Sequence, residues 1–297
     1  MSAIICGSLA FDTIMGFEGR FSEQILPDQL HILNVSFLVP ALRRDFGGCA
    51  GNIAYSLKLL GGTPLPMATL GNDGADYQAR LNRLGISTEF VCEVSDSYTA
   101  QALIMTDRDN NQITAFHPGA MMQAHITEVP VREDIRLGII SPDGRDAMLQ
   151  HARQFQAAGI PFVFDPGQGL PMFDGPELSA FIDQATWVTV NDYEGKMLCD
   201  RTGLSLADIS RRVQGLVVTL GAQGCDVWED GVKTWVPPVE PAAVVDPTGC
   251  GDAWRGALLY GLEAGWTLPA CAALGNRIGA LKIAQRGPQN YTVILND

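Results

Sequence analysis

The sequence has few basic residues. Lysine and arginine together number 20, against 33 aspartates and glutamates, which gives a formal net charge of -13. Proteins that bind the phosphate backbone of DNA or RNA need a positive surface, so this deficit argues against nucleic acid as a partner. A single nucleotide remains compatible with it, because a local cluster of N–H groups or a metal ion can bind the phosphates of one ligand.

Long apolar runs and paired cysteines are lacking as well. No run approaches the ~20 apolar residues of a membrane-spanning helix, and the start MSAIICGSLAFD shows no basic leader. The seven cysteines are scattered and never spaced C-x-x-C, whereas disulfide frameworks and zinc sites favour clusters or even counts. We therefore expect a cytoplasmic protein with reduced, mostly buried thiols and no membrane partner.

The common nucleotide-binding signatures are missing too. There is no G-x-x-x-x-G-K-[ST] motif, and no G-x-G-x-x-G motif follows the first predicted strand. What the chain has is an ordinary globular composition, with 46% hydrophobic and 18% charged residues over 297 positions. If this protein binds ATP, it does so without a P-loop or a Rossmann fingerprint.

Short apolar runs alternate with helical patterns along the chain. The runs are rich in branched or aromatic residues and stop at Gly, Asp, Asn or Ser, as buried strands do. They are AIICGSL (3–9), PMATLG (66–71), RLGIIS (136–141), PFVFD (161–165), TWVTVN (186–191) and GLVVTLG (215–221). The segments between them carry apolar residues at helical spacing. This alternation predicts an α/β fold with a central, mostly parallel sheet and helices on both faces.

Two segments break the alternation. Residues 11–46 and 98–116 contain strand-like runs without helical patterns, and Asp109-Asn110-Asn111 in the second is a plausible hairpin turn. We expect a single domain over residues 1–297, with insertions at about 11–46 and 98–118 that form a small β-sheet. Such a sheet beside a parallel sheet often serves as a lid, although a decorative insertion would give the same pattern.

The stretch DPTGCGD at residues 246–252 crowds acids and glycines directly in front of a helical pattern. The valines before it predict a strand that ends at Val245, which would bring the stretch to the carboxyl edge of the sheet, where ligands bind. Gly249, Cys250 and Gly251 then form the first turn of a helix. The N–H groups of such a turn form a cradle for an anion.

Asp252 closes this stretch. A carboxylate repels an anion, so its use is not to bind one. It is well placed to accept a proton from a hydroxyl group that attacks phosphorus, and the helix N-terminus should keep it ionised. The alternative is a helix N-cap, where Asp is common, but the complete stretch favours a catalytic base.

Two signatures, one near each end of the chain, resemble those of a known family. Asp246 to Trp254 is similar to the C-terminal D-T-x-G-A-G-D-x-F signature of ribokinase-like, or PfkB, sugar and nucleoside kinases, with Cys250 for alanine and Trp254 for phenylalanine. GGCAGN, Gly47 to Asn52, is similar to the N-terminal signature, and the resemblance extends over essentially the whole chain. It implies the ribokinase-like fold, an anion hole at Gly249, Cys250 and Gly251, and Asp252 as the base.

The resemblance also implies binding sites for ATP and Mg²⁺. NDYE, Asn191 to Glu194, is similar to the N-x-x-E motif that positions Mg²⁺ and the ATP phosphates, and both side chains could reach one hydrated metal. The alternative is a helix start with a capping box. The turn that contains Thr219, Gly221 and Gly224 would follow the ATP phosphates and ribose, although a glycine hairpin fits nearly as well. Asn276 is a candidate for the adenine end.

A sugar site and a cation site complete the implied set. In relatives an aspartate after the first strand, the Gly-Gly pair and the asparagine grip sugar hydroxyls. The corresponding residues are Asp12, Gly47, Gly48 and Asn52. A carboxylate that accepts from two neighbouring hydroxyls suits a cis-diol, while a solvated loop residue is the alternative for Asp12. Asp246 and Thr248 lie where some relatives bind a monovalent cation, so K⁺ is a further candidate ligand.

The signatures resemble those of bacterial adenosine or broad nucleoside kinases more than those of ribokinases. We therefore expect an ATP-dependent kinase for the 5′-hydroxyl of a nucleoside, most of all adenosine, with a pentose kinase or a non-catalytic binding protein as alternatives. Phe37 and Phe116 in the lid segments are candidates to contact the flat base. A phosphosugar substrate would need basic residues near the sugar site. Arg43 and Arg44 are the only basic pair in the lid strand. Monomer and homodimer both remain open.

Overall fold

The computed structural model describes residues 2–25, 31–109 and 111–293. The strands are β1 Ser2–Cys6, β2 Ala10–Gly16, β3 Ala41–Gly47, β4 Thr63–Gly71, β5 Phe90–Val94, β6 Ala100–Thr106, β7 Gln112–His117, β8 Ile135–Ile140, β9 Phe162–Phe164, β10 Trp187–Asn191, β11 Gly215–Thr219, β12 Cys225–Glu229 and β13 Val232–Val236. The α-helices are α1 Phe21–Gln24, α2 Cys49–Leu59, α3 Ala75–Arg83, α4 Arg145–Ala158, α5 Gly175–Gln184, α6 Asp192–Thr202, α7 Leu206–Ser210, α8 Cys250–Glu263 and α9 Leu268–Ile283.

The larger sheet has nine strands in the order β13-β12-β11-β10-β9-β8-β1-β4-β5. The seven strands from β11 to β5 pair in parallel, and only β12 and β13 at one edge are antiparallel. All six predicted strands are present in this sheet. The prediction of an α/β fold with a mostly parallel sheet is therefore confirmed.

Alternate residues of the central strand β1 point into two separate cores, which is the two-sided burial expected of a parallel sheet. Ala3 and Ile5 pack in the core that includes residues of α2, α8 and α9. Ile4 and Cys6 pack in the other core, with residues of α4, α5 and α6. Helices therefore cover both faces of the sheet, as the sequence predicted.

The smaller sheet has four strands in the order β3-β2-β6-β7. Strand β2 pairs antiparallel with β3 and parallel with β6, and β6 forms an antiparallel hairpin with β7. All four strands come from the segments predicted as insertions, and the hairpin turns at the predicted place, although Asn110 lies outside the described residues. We call these four strands the lid sheet.

The predicted strand ending at Val245 is wrong. Residues 237–249 form an irregular segment, in which Val244 and Val245 are 75% and 49% exposed. Its prolines explain the difference, because proline cannot donate a ladder hydrogen bond and is excluded from the interior of a sheet. The segment reaches the site as a loop instead, bonded to the end of α9 by hydrogen bonds from the Val245 and Asp246 amides to the Ile283 carbonyl.

The expectation of reduced, mostly buried cysteines agrees with the structure only in part. All seven thiols are free, and Cys6, Cys225 and Cys271 are buried while the other four are half-buried. Within residues 2–25, 31–109 and 111–293, no helix combines the length and the apolar character that crossing a bilayer requires.

The carboxyl ends of the parallel strands meet at one edge of the larger sheet. The residues that follow or end these strands there include Ser141 after β8, Asp165 after β9, Asn191 at the end of β10 and Thr219 at the end of β11. The start of α8 lies at this edge as well, because Arg255 of α8 hydrogen-bonds to Asp165. Ligands of open parallel sheets bind at this edge.

Candidate active site

The first turn of α8 presents free backbone donors. Within the described residues, the N–H groups of Gly249, Gly251 and Asp252 have no hydrogen-bond partner, whereas the Cys250 amide donates to the Pro247 carbonyl at 3.2 Å. Unpaired amides at the start of a 14-residue helix attract an anion. Of the three amides predicted to form the anion hole, those of Gly249 and Gly251 are therefore free to bind an anion. The Cys250 amide closes the turn instead.

Gly249 is required by the backbone of this turn. It caps α8 with φ +75°, in the left-handed region that residues with a side chain rarely adopt. A Cβ atom there would also come within 2.6 Å of the Cβ atom of Pro288. The thiol of Cys250 adds no negative charge to the turn, because burial raises its pKa to about 11.

Asp252 lies in the first turn of α8 and is half-buried. Its carboxylate accepts a hydrogen bond of 2.8 Å from the side-chain amide of Asn52. Burial raises its pKa to about 6, against the lowering effects of Asn52 and of the positive charge on Arg255. Desolvation therefore has the largest effect on this pKa, and the expectation that the helix N-terminus keeps Asp252 ionised stays a prediction. A carboxylate with this pKa is a stronger base than usual and is still mostly ionised at pH 7.

A buried chain of hydrogen bonds holds Asn52 in place. The side-chain amide of Gln289 donates to the side-chain oxygen of Asn52 at 3.0 Å and to the Tyr77 hydroxyl at 2.8 Å, and that hydroxyl donates to the Gly47 carbonyl at 2.6 Å. Because its oxygen accepts from Gln289, the amide of Asn52 must point its N–H₂ group at Asp252. Sequence reasoning missed Gln289 and Tyr77, because neither residue belongs to a recognisable motif.

The residues predicted to bind a sugar lie next to this chain. Asp12 on β2 packs over Gly47 on β3, where an added Cβ atom would come within 2.8 Å of the Asp12 carboxyl carbon. Gly48 has φ +85° and caps α2, the helix that carries Asn52. Burial, with the negative charges of Asp45 and Asp252, raises the pKa of Asp12 to about 6, so the two carboxylates of Asp12 and Asp252 influence each other.

Strand register puts Phe116 on the same face of the lid sheet as Asp12. Asp12 pairs with Ala102 on β6, and Ala102 pairs with Phe116 on β7. Directly paired residues share a face, so Asp12 and Phe116 are two strand spacings apart, roughly 10 Å. The Phe116 side chain is 54% exposed and available to a ligand.

Phe37 is placed differently. It packs against Phe17 and Phe21, with ring centroids 5.0 and 5.3 Å away. Phe17 lies five residues beyond Asp12 along the course of β2, which corresponds to roughly 17 Å. The contacts of Phe37 are those of a local aromatic cluster near the end of β2, and its role toward the base stays a prediction.

A cavity of about 330 Å³ opens on the other side of the first turn of α8. It brings together most of the residues predicted to bind ATP or the phosphoryl group, which are Thr219, Gly221, Gly224, Cys250, Gly251 and Asn276. The rest of its wall includes the irregular segment, with Pro238, Val239, Pro241, Val244 and Pro247. Its volume lies in the range of small-molecule sites, and an apolar wall of this kind suits a flat base.

Three residues that line the cavity also have structural roles within the protein. Gly221 and Gly224 lie in the tight connection from β11 to the antiparallel β12, so the alternative of a glycine hairpin is realised together with the cavity lining. The side chain of Asn276 accepts from the Trp254 indole at 3.0 Å and donates to the Pro237 carbonyl at 2.8 Å. Asn276 therefore fixes the cavity wall, and its role toward adenine stays a prediction.

Asn191 and Glu194 form a reciprocal capping box at the start of α6. The Asn191 side chain accepts from the Glu194 amide at 2.7 Å, and the Glu194 carboxylate accepts from the Asn191 amide at 2.8 Å. The structure therefore contains the capping box that was the alternative to a metal site at this motif. Burial raises the pKa of Glu194, against the effect of Arg255, whose guanidinium lies 3.9 Å away.

A buried ion pair beside this motif was missed by sequence reasoning. Arg255 of α8 donates to Asp165 at 2.8 Å, and both side chains are less than a tenth exposed. Arg255 also donates to the Gly251 carbonyl at 3.3 Å, which ties the first turn of α8 to the edge of the sheet. Asp165 ends a predicted strand and could have been found from that position, whereas Arg255 lies in a helix pattern without a distinguishing signal.

The candidate metal residues do not form a closed metal site. Among the described residues, no three His, Cys, Asp or Glu side chains are grouped closely enough to hold a metal ion. Mg²⁺ fits such a setting, because it retains several waters and binds through one or two carboxylates plus substrate phosphates. Glu194 is the residue that would hold a hydrated Mg²⁺ here.

The carboxylate of Asp246 is occupied by backbone donors. It accepts from the Thr248 amide and from the Gly287 amide, both at 2.9 Å, and the guanidinium of Arg43 lies 3.5 Å from it. Burial alone would raise the pKa of Asp246, but these hydrogen bonds lower it below its usual value. Asp246 thus shapes the loop before α8, and a role of Asp246 and Thr248 as K⁺ ligands stays a prediction.

Comparison with known proteins adds the family. Residues 23–294 match the pfkB family of carbohydrate kinases. The nucleoside kinase of Burkholderia thailandensis, solved in complex with inosine, is 52% identical, with a TM-score of 0.88 over 98% of this chain and 93% of that chain. The same protein was also solved in complex with ADP-inosine. The nucleoside kinase of Methanocaldococcus jannaschii is 30% identical over 97% of this chain and 93% of its own length.

Because the family match covers most of the chain, this chain belongs to the pfkB family of carbohydrate kinases. The recognition made from the two signatures is confirmed. The chain is therefore a phosphotransferase whose acceptor is a hydroxyl group.

Proposed function

We propose that this member of the pfkB family transfers the γ-phosphoryl group of ATP to the 5′-hydroxyl group of a purine nucleoside. The observation that carries the proposal is the position of the first turn of α8. On one side, Cys250 and Gly251 line the cavity. On the other side, Asp252 is hydrogen-bonded to Asn52 and close enough to Asp12 to raise its pKa. A donor and an acceptor bound on the two sides would meet at the free amides.

In this arrangement Asp252 is the general base. It accepts the proton of the 5′-hydroxyl group as the oxygen attacks phosphorus, while Asn52 keeps the carboxylate oriented. The free N–H groups of Gly249 and Gly251 stabilise the charge on the transferred phosphoryl group. Bound Mg²⁺ neutralises charge on the phosphates, and Glu194 would hold one of its waters.

A nucleoside suits the acceptor side. Asp12 would accept from the two ribose hydroxyls, and Phe116, on the same face of the lid sheet, offers an aromatic surface to the base. The relative that is 52% identical was solved with inosine, which supports a purine nucleoside. Adenosine, the substrate favoured from the sequence, and inosine are both expected substrates.

A phosphosugar is less suited to this site. Arg43 is paired with Asp45 at 3.1 Å and with Asp246 at 3.5 Å. Arg44 is paired with Asp73 and stacks on the Phe11 ring at 3.5 Å. The basic pair of the lid strand is therefore engaged within the protein, and a substrate phosphate would have to displace these partners.

The proposal is tested by measuring ADP formation from ATP with a panel of acceptors: adenosine, inosine, cytidine, ribose, fructose 6-phosphate and none. We expect rapid turnover with adenosine and inosine and turnover near the background with ribose and fructose 6-phosphate. A higher kcat/KM for ribose than for every nucleoside would contradict the assignment and favour a pentose kinase. Mass spectrometry of the product identifies the 5′-monophosphate.

A further inference from the structure

Lys282 is a buried cation bonded to the loop that leads into the candidate anion hole. It lies in the last turn of α9, and none of its surface is exposed. Its ammonium group donates to the backbone carbonyl of Asp246 at 2.8 Å and to that of Gln285 at 3.2 Å. A buried ammonium group is stabilised only where such acceptors surround it. Two carbonyls from different segments of the chain therefore converge on one positive charge.

This charge lies at the junction between the 246–252 loop and residues 283–287. The Ile283 carbonyl accepts from the Val245 and Asp246 amides, and the Gly287 amide donates to the Asp246 carboxylate. The charged groups that face Lys282 are Asp246, Arg43 and Asp45. The junction thus fixes the backbone that leads into the first turn of α8, and the amides of that turn remain free for a ligand.

We propose that the ammonium group of Lys282 serves as a built-in monovalent cation for the 246–252 loop, so that the enzyme needs no K⁺ or NH₄⁺ from solution. An ammonium group and a K⁺ ion are both bound by converging carbonyl oxygens, and here the carbonyls are already held by the side chain. The inference rests on the proposed kinase function and deepens it. Lys282 acts as a positioning residue, through the loop, and does not touch the substrate.

The burial of Lys282 agrees with this role. Burial lowers its pKa, and the negative charge of Asp246 opposes that effect. With Lys282 in this role, the predicted K⁺ site at Asp246 and Thr248 would not be needed. The Asp246 carboxylate is bound by two backbone amides, and its carbonyl is bound by Lys282.

The first test measures kcat of the unmodified protein with every monovalent cation replaced by tetramethylammonium, which is too large for the junction. We expect the same kcat as with K⁺. In Lys282→Met we expect kcat to fall, by up to about 10²-fold where the loop is misplaced, and to be restored in part by K⁺ or NH₄⁺ but not by tetramethylammonium. Lys58→Met is the matched control, because Lys58 lies in the last turn of α2 and is exposed. It should keep the kcat of the unmodified protein.

The melting temperature provides a readout that does not depend on activity. We expect K⁺ or NH₄⁺ to raise Tm of Lys282→Met and to leave Tm of the unmodified protein unchanged relative to tetramethylammonium. A K⁺ requirement of the unmodified protein overturns the proposal, even if Lys282→Met does not fold. So does a folded Lys282→Met whose kcat and Tm respond to no cation. A protein that phosphorylates no acceptor would refute the kinase proposal, while the Tm comparison would still decide the cation proposal.

Discussion

The 246–252 loop and the lid sheet form the two ends of the candidate site, and they are held in different ways. The loop is fixed by buried or half-buried partners, among them Lys282, Arg255 and Gln289 through Asn52. Phe116 on the lid sheet is 54% exposed, and all six residues of β7 are exposed. A rigid loop suits charge stabilisation, which depends on preorganised donors. An exposed strand suits an acceptor that must enter before the site closes.

The difference predicts where substitutions act. A change at the loop should lower kcat, because it removes groups that act on the transferred phosphoryl group or the attacking oxygen. A change on the lid sheet should raise KM for the acceptor and leave KM for ATP unchanged. Four experiments test this division, in order of expected effect.

The largest effect is expected from Asp252→Asn. The amide cannot accept the proton of the attacking hydroxyl group, so kcat should fall about 10²- to 10⁴-fold while KM for the nucleoside changes little. Steady-state kinetics with adenosine measures both. Asp76→Asn is a suitable control, since Asp76 is likewise an acid in the first turn of a helix but is exposed. An unchanged kcat in Asp252→Asn would remove the residue from the mechanism.

The second effect is expected from Asp12→Leu at the lid end. Loss of charge-assisted hydrogen bonds to the ribose hydroxyls costs about 1.5–3 kcal/mol, so KM for the nucleoside should rise roughly 10- to 100-fold. KM for ATP should stay the same. Thr13→Leu is the matched control, because Thr13 follows Asp12 on β2 and points to the other face of the sheet. Equal effects of the two variants on KM would contradict a sugar site at Asp12.

How much of this division the sequence could predict depends on the type of contact. The residues of the 246–252 loop and the Gly47–Asn52 segment could be predicted because a tight turn and a free helix start need specific residues at fixed spacing. Lys282, Arg255 and Gln289 could not, because their partners are distant in sequence and their own helix or loop carries no motif.

The wrong strand prediction has an equally local cause. The apolar residues before Asp246 suggested a strand, but the prolines around them exclude it. The segment lines the cavity instead. Phe37 and Phe116 looked equivalent in sequence. Only strand register and the packing of Phe37 on Phe17 and Phe21 separate them.

The third experiment uses pH, because the pKa values of one carboxylate at each end are raised to about 6. Burial is the main cause for both, and both are expected to act in the ionised form. Below pH 6 each becomes protonated, so kcat/KM for the nucleoside should fall as pH decreases and level off above about pH 7. With both groups titrating, the fall should be steeper than tenfold per pH unit.

Asp12→Asn sharpens this test. It removes the titrating group at the lid end, so the remaining fall of kcat/KM should approach tenfold per pH unit and report Asp252 alone. The loss of a negative charge near Asp252 should also lower the apparent pKa of the base. A profile of kcat/KM that is flat from pH 7 to pH 5 in the unmodified protein would contradict a base with a raised pKa.

The smallest effect is expected from Phe116→Ala. An aromatic contact with the base contributes about 0.5–1.5 kcal/mol, so KM for inosine or adenosine should rise roughly two- to tenfold at unchanged kcat. Ile113→Ala is the matched control, since Ile113 lies three residues earlier on β7, on the opposite face, and is 43% exposed. If Ile113→Ala raised KM and Phe116→Ala did not, the base would contact the opposite face of the lid sheet. The face of the lid sheet that carries Asp12 and Phe116 would then not be the one that binds the nucleoside base.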